Sequence, residues 1–156
     1  MFDTIVWATD GSPDADQALV FAKALAHEQG ASLVVVHVVQ RYASPTRLAV
    51  YADEQLVRTK LEEAVAELER DGLPATLRVV DHIGPQPAQE IADLAREVEA
   101  DLIVVGSRGY GPVAGLVRGS VVPRLMHVAP CPVVAVPPGA SSPVSERWEF
   151  EEPALG

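Results

Sequence analysis

A glycine-rich segment between residues 104 and 122 is the part of the chain whose composition most clearly suggests chemistry. Its sequence is VVGSRGYGPVAGLVRGSVV, with two arginines, no acid and five glycines: Gly106, Gly109, Gly111, Gly115 and Gly119. Glycine lets backbone N–H groups approach a ligand, and successive N–H groups form a concave anion site. A helix opening at Gly119-Ser120 would add its positive N-terminal end. The segment therefore predicts a site for a polyphosphate.

Charge is distributed unevenly along the chain. From Leu102 to Ser145 there is no Asp or Glu, and Arg108, Arg118 and Arg124 give this stretch a formal charge of +3. The other residues carry a formal charge of −13, and the two parts sum to the net charge of −10. So acidic a protein is not expected to bind nucleic acid non-specifically or to dock on anionic membranes. The acid-free stretch favours a bound anion over the commoner use of glycines, a long solvated turn.

Length and composition predict one domain. A chain of 156 residues, 48% of them hydrophobic, can bury a sizeable core. The N-terminal MFDTIVWATDG has no basic region and reaches Asp10 after a short apolar run, which predicts a first strand and not a signal peptide. No apolar run approaches the roughly 20 residues of a membrane helix. Because Cys131 is alone, no internal disulfide can form, and we expect a cytoplasmic location.

Short apolar runs alternate with helical periods. Strands are predicted at 4–9, 32–39, 75–83, 101–106 and 132–137, and helices at 12–30, 53–72, 87–100 and 120–129. Ser12 and Gly30 suit the two ends of the first helix, and Asp14 and Asp16 suit its dipole. Segment 41–52 has no clear period and predicts a loop. The second helix has a predicted apolar stripe of Leu56, Leu61, Val65 and Leu68.

This alternation predicts a doubly wound α/β domain: a parallel sheet with helices on both faces. Such sheets bind ligands beyond the carboxyl ends of their strands, where the winding reverses. Two loops follow such ends, TDGSP after the first strand and GSRGYG after the fourth. If both contact one ligand, strands one and four should be neighbours.

Two familiar phosphate motifs do not fit. A Walker loop needs a lysine after its second glycine, but Pro112 stands there, and the chain's two lysines are Lys23 and Lys60. A dinucleotide fingerprint needs an acid about 20 residues on for the ribose, and none occurs before Glu146.

A third pattern does fit. Gly106-x-x-Gly109, nine residues and Gly119-Ser120 match G-2x-G-9x-G-[ST], and the chain resembles the universal stress protein family over roughly residues 3–137. The similarity includes TIVWATDGSPDADQAL, the HVV that ends strand two and HVAPCPVVAVP. The resemblance implies a five-stranded parallel sheet of order 3-2-1-4-5, with strands one and four side by side. We expect the family domain to span 1–138 and a flexible acidic tail to span 139–156.

The resemblance to ATP-binding members of the family also implies a site. Asp10 corresponds to an acid near the nucleoside, and Val38, after His37, to the residue whose backbone meets adenine. Gly106, Arg108 and Gly109 would line the ribose and phosphates, and Gly119, Ser120 and Val121 would hold the phosphates, with Mg²⁺ accompanying them. The full predicted set is Ala8, Thr9, Asp10, His37, Val38, Val105, Gly106, Ser107, Arg108, Gly109, Arg118, Gly119, Ser120, Val121 and Val122.

Simpler roles compete at some of these positions. His37 lies within an apolar strand, which favours a buried, hydrogen-bonded core histidine. Asp10 precedes Gly11, a common turn pair. His27, His82 and His127 lack metal-ligand spacing, and no catalytic residue is predicted.

The resemblance implies that ATP acts as a regulatory ligand of a stress or signalling protein. Three alternatives remain: a weak ATPase or phosphotransferase, a buffer that binds cyclic AMP or AMP, and a structural dimer with an empty cleft. A homodimer is expected through the last strand, since Val133, Val134, Ala135 and Val136 leave its edge uncharged. The tail, net −3 over 146–156, could fold back onto the cationic loop.

Overall fold

The structure is a computed structural model that describes residues 1–43, 48–50, 53–83, 87–107 and 121–139. Strands and helices alternate along these ranges, and no helix in them is long and apolar enough to cross a membrane. In chain order the elements are β1 (Thr4–Thr9), α1 (Pro13–Gln29), β2 (Ser32–Ala43), β3 (Leu48–Val50), α2 (Glu54–Arg70), β4 (Ala75–Ile83), α3 (Pro87–Glu97), β5 (Leu102–Gly106), α4 (Val121–Val128) and β6 (Val133–Val136).

Five parallel strands form the sheet in the spatial order β4-β2-β1-β5-β6. This is the order 3-2-1-4-5 of the predicted strands, so the predicted fold class is confirmed. Strand β1 lies at the centre, where Ala8 pairs with Val36 of β2 on one side and with Val105 of β5 on the other. The first and fourth predicted strands are therefore neighbours, as a shared ligand site requires.

The predicted loop at 41–52 is partly wrong. Strand β2 continues to Ala43, beyond the predicted end at 39, and Leu48–Val50 pairs with it as the short antiparallel strand β3. An antiparallel pair needs only local backbone complementarity, so three residues can form it without the long apolar run that marks a buried parallel strand.

Alternate side chains of each strand face two separate cores. Ile5, Trp7, Leu33 and Val35 pack with helices α1 and α2, while the intervening positions, such as Val6, pack with α3 and α4. This division follows from the period of two along a strand. Between β1 and β4 the connecting helices α1 and α2 cover one face of the sheet. Between β4 and β6 the connecting helices α3 and α4 cover the other face. The winding thus reverses between β1 and β5.

Helix α1 begins and ends where the sequence predicts. Ser12 is its N-cap and accepts a 3.3 Å hydrogen bond from the Ala15 N–H, with Pro13 as the first helical residue. Gly30 ends it at φ 68°, a left-handed conformation that glycine adopts without strain. These caps fix the helix directly after the end of β1.

The apolar stripe of α2 differs by one member from its prediction. The side chains that face the core are Val57, Leu61 and Leu68, with Val65 half-buried against them, whereas Leu56 is 68% exposed. Positions 57, 61, 65 and 68 keep the three- and four-residue steps of one helix face, and residue 56 lies about 100° away from it. Leu56 is therefore a surface residue.

An aspartate holds the amino edge of the sheet, at the end opposite the strand ends where ligands bind. Asp101 Oδ2 accepts hydrogen bonds from the backbone N–H groups of Asp3 at 2.8 Å and Thr4 at 3.0 Å. These two bonds lower the pKa of the Asp101 carboxyl below its ordinary value. The start of β1 is thereby tied to the start of β5.

Leu61 and Leu56 of α2 give a matched test of this packing. Leu61→Ala removes a side chain that is 1% exposed and should lower the free energy of unfolding by about 2–5 kcal/mol. Leu56→Ala makes the same change on the solvent face and should alter it by no more than about 0.5 kcal/mol. Urea unfolding of both variants measures the difference, and similar losses would contradict the assigned helix face.

Candidate functional site

The strand ends define a crevice at the reversal of winding. Strand β1 ends at Thr9 and β5 ends at Gly106, with these strands paired to each other. The chain then leaves β1 into α1 on one face, and the segment after β5 leads to α4 on the other. Parallel α/β sheets bind ligands at this kind of place. We call the set Thr9, Asp10, Gly106 and Ser107 the carboxyl edge.

The described part of the predicted site gathers at this edge. Ala8 and Val105 are buried one residue before the ends of β1 and β5, and Val38 is buried in β2 directly after His37, which pairs with Thr9; all three belong to one cluster on the α3–α4 face. Val121 and Val122, at the start of α4, are half-buried against the same cluster. Thr9 is buried, while Asp10, Gly106 and Ser107 are intermediate in exposure. The paired ends of β1 and β5 thus bring two segments that are far apart in sequence together at this edge.

The remaining predicted residues lie outside the described ranges. They are Arg108, Gly109, Arg118, Gly119 and Ser120. The structure describes the residue on each side of that segment: Ser107, whose N–H donates to the Val136 carbonyl at 2.9 Å, and Val121, which opens α4. The predicted contacts of the five residues stay predictions.

The loop from Thr9 to Ser12 is braced by its own side chains. The Gly11 N–H donates to Thr9 Oγ1 at 3.0 Å, and the Ser12 N–H donates to Asp10 Oδ1 at 2.9 Å. One turn further, the Trp7 indole N–H donates to the Ala15 carbonyl at 3.1 Å. Asp10 therefore has a structural task as well as its predicted place near a ligand. Short-range bonds of this kind fix a turn before any ligand arrives.

His37 is a buried, hydrogen-bonded histidine, as its apolar strand predicts. Its side chain is 2% exposed. Nδ1 lies 2.9 Å from the Thr9 carbonyl oxygen, and Nε2 lies 2.7 Å from Oε2 of Glu54, the first residue of α2. Both ring nitrogens thus contact protein atoms. Through these two contacts, His37 of β2 is joined to the end of β1 and to the start of α2.

Sequence reasoning missed that α2 packs on this loop. Gly11 has φ +83°, and a Cβ there would lie 2.8 Å from Cγ2 of Val57. Lys60 reaches from α2 to Asp16 of α1, with 2.5 Å between Nζ and Oδ2. The helix dipole alone could explain an acid at position 16, but Asp16 also forms this ion pair with Lys60. The only sequence signal for these contacts is the spacing of residues 54, 57 and 60 along one side of a helix.

Cys131 has no sign of reactivity. Its side chain is half-buried beside the α3–α4 core, and burial raises the pKa of the thiol above its ordinary value, with the charge of Asp101 adding to this effect. A raised pKa leaves less thiolate, the reactive form.

Comparison with known proteins agrees with this architecture. The sequence model of the Universal stress protein family matches residues 1–137. The chain belongs to the universal stress protein family. A relative from Thermus aquaticus, a universal stress protein in the QAH/OAS sulfhydrylase 3′ region, is 36% identical over 140 residues, covering 87% of this chain and 99% of the relative.

Two solved structures of universal stress proteins are similar to this chain and contain nucleotides. One is a universal stress protein in complex with cAMP, with 26% identity and a TM-score of 0.61, covering 86% of this chain and 97% of that protein. The other, from Archaeoglobus fulgidus, is in complex with dAMP, with 27% identity and a TM-score of 0.59, covering 87% and 98%.

Gly11→Ala tests the contact between loop and helix. The positive φ should cost about 1–2 kcal/mol, and the clash with Val57 about 1–3 kcal/mol more. Gly30→Ala is the matched control, because Gly30 has φ +68° and nothing within 4 Å of the added Cβ. In a Val57→Ala background the excess cost at Gly11 should disappear. Urea unfolding of the wild type, the three single variants and the Gly11→Ala/Val57→Ala double variant measures these costs; equal costs of the two glycine substitutions in the wild-type background would refute the contact.

Proposed function

We propose that this universal stress protein binds ATP at the carboxyl edge and that the nucleotide acts as a regulatory ligand. The observation that carries the proposal is the meeting of β1 and β5 at the reversal of winding, where the glycine-rich segment starts. That segment contains the family's G-2x-G-9x-G-[ST] signature. Similar proteins bind cAMP and dAMP, which supports an adenine nucleotide as the class of ligand.

The described residues suit a nucleoside. Ala8 and Val105 are apolar residues near the ends of β1 and β5, Val38 of β2 follows the residue that pairs with Thr9, and Thr9 and Asp10 add polar atoms beside them. Small-molecule sites combine such apolar walls with a few polar groups. In the proposed complex the β2 backbone at Val38 meets adenine, and Asp10 lies near the sugar.

The phosphates would meet the cationic segment. Gly106, Arg108 and Gly109 would contact ribose and phosphates, and Gly119, Ser120 and Val121 would complete the phosphate site. Backbone N–H groups at the start of a helix and arginine side chains both favour anions. Mg²⁺ would bind through the phosphate oxygens. A regulatory ligand acts by binding one conformation or partner state more tightly than another, and we place this function in the cytoplasm.

Two glycines of the segment give a matched test of ATP binding. Gly119→Val puts a branched side chain where the backbone should touch phosphate, so calorimetry with ATP and Mg²⁺ should show no binding. Gly115→Val makes the same change at one of the nine unspecified positions of the signature and should retain binding. Arg118→Ala should weaken binding by on the order of 1 kcal/mol, or about fivefold.

Each alternative has its own outcome in these measurements. Equal ATP affinity in a folded Gly119→Val variant would place the ligand elsewhere, and no binding by the wild type at millimolar ATP would contradict the proposal. Competition of cAMP for the same site at lower concentration would favour the cyclic nucleotide as the ligand. Phosphate release that disappears with Gly119→Val would favour an ATPase.

We further propose that the protein forms a homodimer through β6. This strand pairs with β5 on one side, and within the described ranges no strand pairs with its other side. Ala135 is exposed, and Val133 and Val134 are half-buried, so the edge carries no charge that would oppose pairing. A two-fold axis would make the two copies of β6 antiparallel.

The hydrogen bonds of β5 show which groups of β6 remain for a partner. The carbonyls of Pro132 and Val136 accept from the N–H groups of Ile103 and Ser107. Because a strand alternates the direction of its N–H and C=O groups, residue 134 also faces β5, whereas residues 133 and 135 face the open edge.

Ala135→Pro should therefore separate the dimer. Proline removes the N–H at 135, which faces the open edge, and leaves the pairing with β5 intact. Ala135→Val keeps the N–H and should remain dimeric. Light scattering at micromolar concentration measures the mass of each. A monomeric wild type, or a dimeric Ala135→Pro variant, would exclude this interface.

A further inference from the structure

The bridge at His37 lies directly under the proposed nucleotide site. Its ring, 2% exposed, spans from the Thr9 carbonyl oxygen, 2.9 Å from Nδ1, to Glu54 Oε2, 2.7 Å from Nε2. The Glu54 side chain is 26% exposed, so water reaches one end of the bridge. Thr9 and Asp10, the residues on its other side, belong to the carboxyl edge.

The two distances determine how many protons the bridge holds. A carbonyl oxygen can only accept, so Nδ1 of His37 must carry a hydrogen. A neutral ring then has a lone pair at Nε2, which cannot bond to an ionised carboxylate. At 2.7 Å a proton must therefore lie between Nε2 and Glu54, on one or the other. The pair holds one proton more than a neutral imidazole and an ionised carboxylate would hold.

The bridge is one of three contacts from the start of α2 to the β1–α1 region. Glu54 holds the Thr9 carbonyl through His37, Val57 packs on Gly11, and Lys60 pairs with Asp16. The Thr9 carbonyl belongs to the peptide that leads into Asp10, whose Oδ1 in turn accepts from the Ser12 N–H. The peptide between Thr9 and Asp10 is thus held both by the loop's own bonds and, through His37, from α2.

We propose that His37 and Glu54 are positioning residues of the nucleotide site, and that their shared proton couples α2 to the Thr9–Asp10 peptide. This inference rests on the proposed function of the carboxyl edge. Because coupling between two sites is reciprocal, a nucleotide that needs the braced loop also stabilises the docked α2. Binding of the nucleotide would then be transmitted to the protein surface by a movement of α2.

The proton is tested first, without nucleotide. In the wild type at neutral pH, nitrogen-15 and carbon-13 NMR should show either two N–H groups on the His37 ring or a protonated Glu54 carboxyl. Glu54→Gln should keep the bridge with a neutral ring, because the amide N–H can donate to Nε2 while Nδ1–H still donates to Thr9. A neutral ring together with an ionised Glu54 in the wild type would overturn the inference.

ATP affinity is tested second, by calorimetry at neutral pH. Glu54→Ala should bind ATP about tenfold more weakly than the wild type, because the hydrogen bond that holds the His37 ring from α2 is lost. Glu54→Gln should restore most of this loss, since its amide N–H can donate to Nε2 in place of the shared proton. Glu62→Gln, an exposed charge change in the same helix, is the control and should bind ATP as the wild type does.

The two proposals fail in different ways. Unchanged ATP affinity in a folded Glu54→Ala variant would overturn the positioning role and leave nucleotide binding intact. An ATP affinity of Glu54→Gln as low as that of Glu54→Ala would also overturn it. No ATP binding by the wild type would overturn both the proposed function and the positioning role, while NMR would still decide whether the proton is present.

Discussion

The structure depends on the enclosure of β1, the central strand. It pairs with β2 and β5 on its two sides, and Ile5, Val6 and Trp7 are almost completely buried. A backbone enclosed in this way must satisfy its N–H and C=O groups within the protein. Neighbouring strands provide these hydrogen bonds along the length of β1, and side chains provide them at both of its ends. Asp101 binds the N–H groups before it, and His37 binds the carbonyl of Thr9.

Small side chains determine how α1 covers this strand. The helix buries alanines at four positions on one face, and they are Ala15, Ala18, Ala22 and Ala26. Alanine lets a helix axis approach a sheet closely, and it loses no side-chain entropy on burial. The close approach brings the first turn of α1 within reach of the Trp7 indole N–H, which bonds to Ala15. Packing of the sheet centre and placement of the loop at the carboxyl edge therefore depend on the same helix.

Sequence periodicity predicted the features that depend on burial and alternation. All five parallel strands and the caps of α1 could be predicted, because a parallel sheet requires apolar runs and caps require particular residue types. The order of the strands was implied by the family resemblance. Leu56 was misassigned because one residue, about 100° around a helix, separates the core face from the surface. Strand β3 was missed because three residues paired at the far end of β2 carry no periodic signal. For the candidate site, the strand ends were predictable from topology, but the partners Glu54 and Val57 were not. Their contacts depend on the rotation of α2 about its axis.

The three contacts of α2 differ in how strongly they can fix the loop. The Lys60–Asp16 pair is exposed to water at both side chains, and such pairs contribute about 0–1 kcal/mol. Val57 restricts Gly11 only by steric contact, which is not directional as a hydrogen bond is. The His37–Glu54 bridge makes a directional hydrogen bond at each ring nitrogen. It is partly buried, where a polar group without a partner costs more free energy than it does in water. A well-packed apolar pair could stabilise the fold as well or better, since buried ion pairs seldom exceed their desolvation cost. Global stability therefore does not explain the bridge, whereas control of the Thr9 carbonyl does.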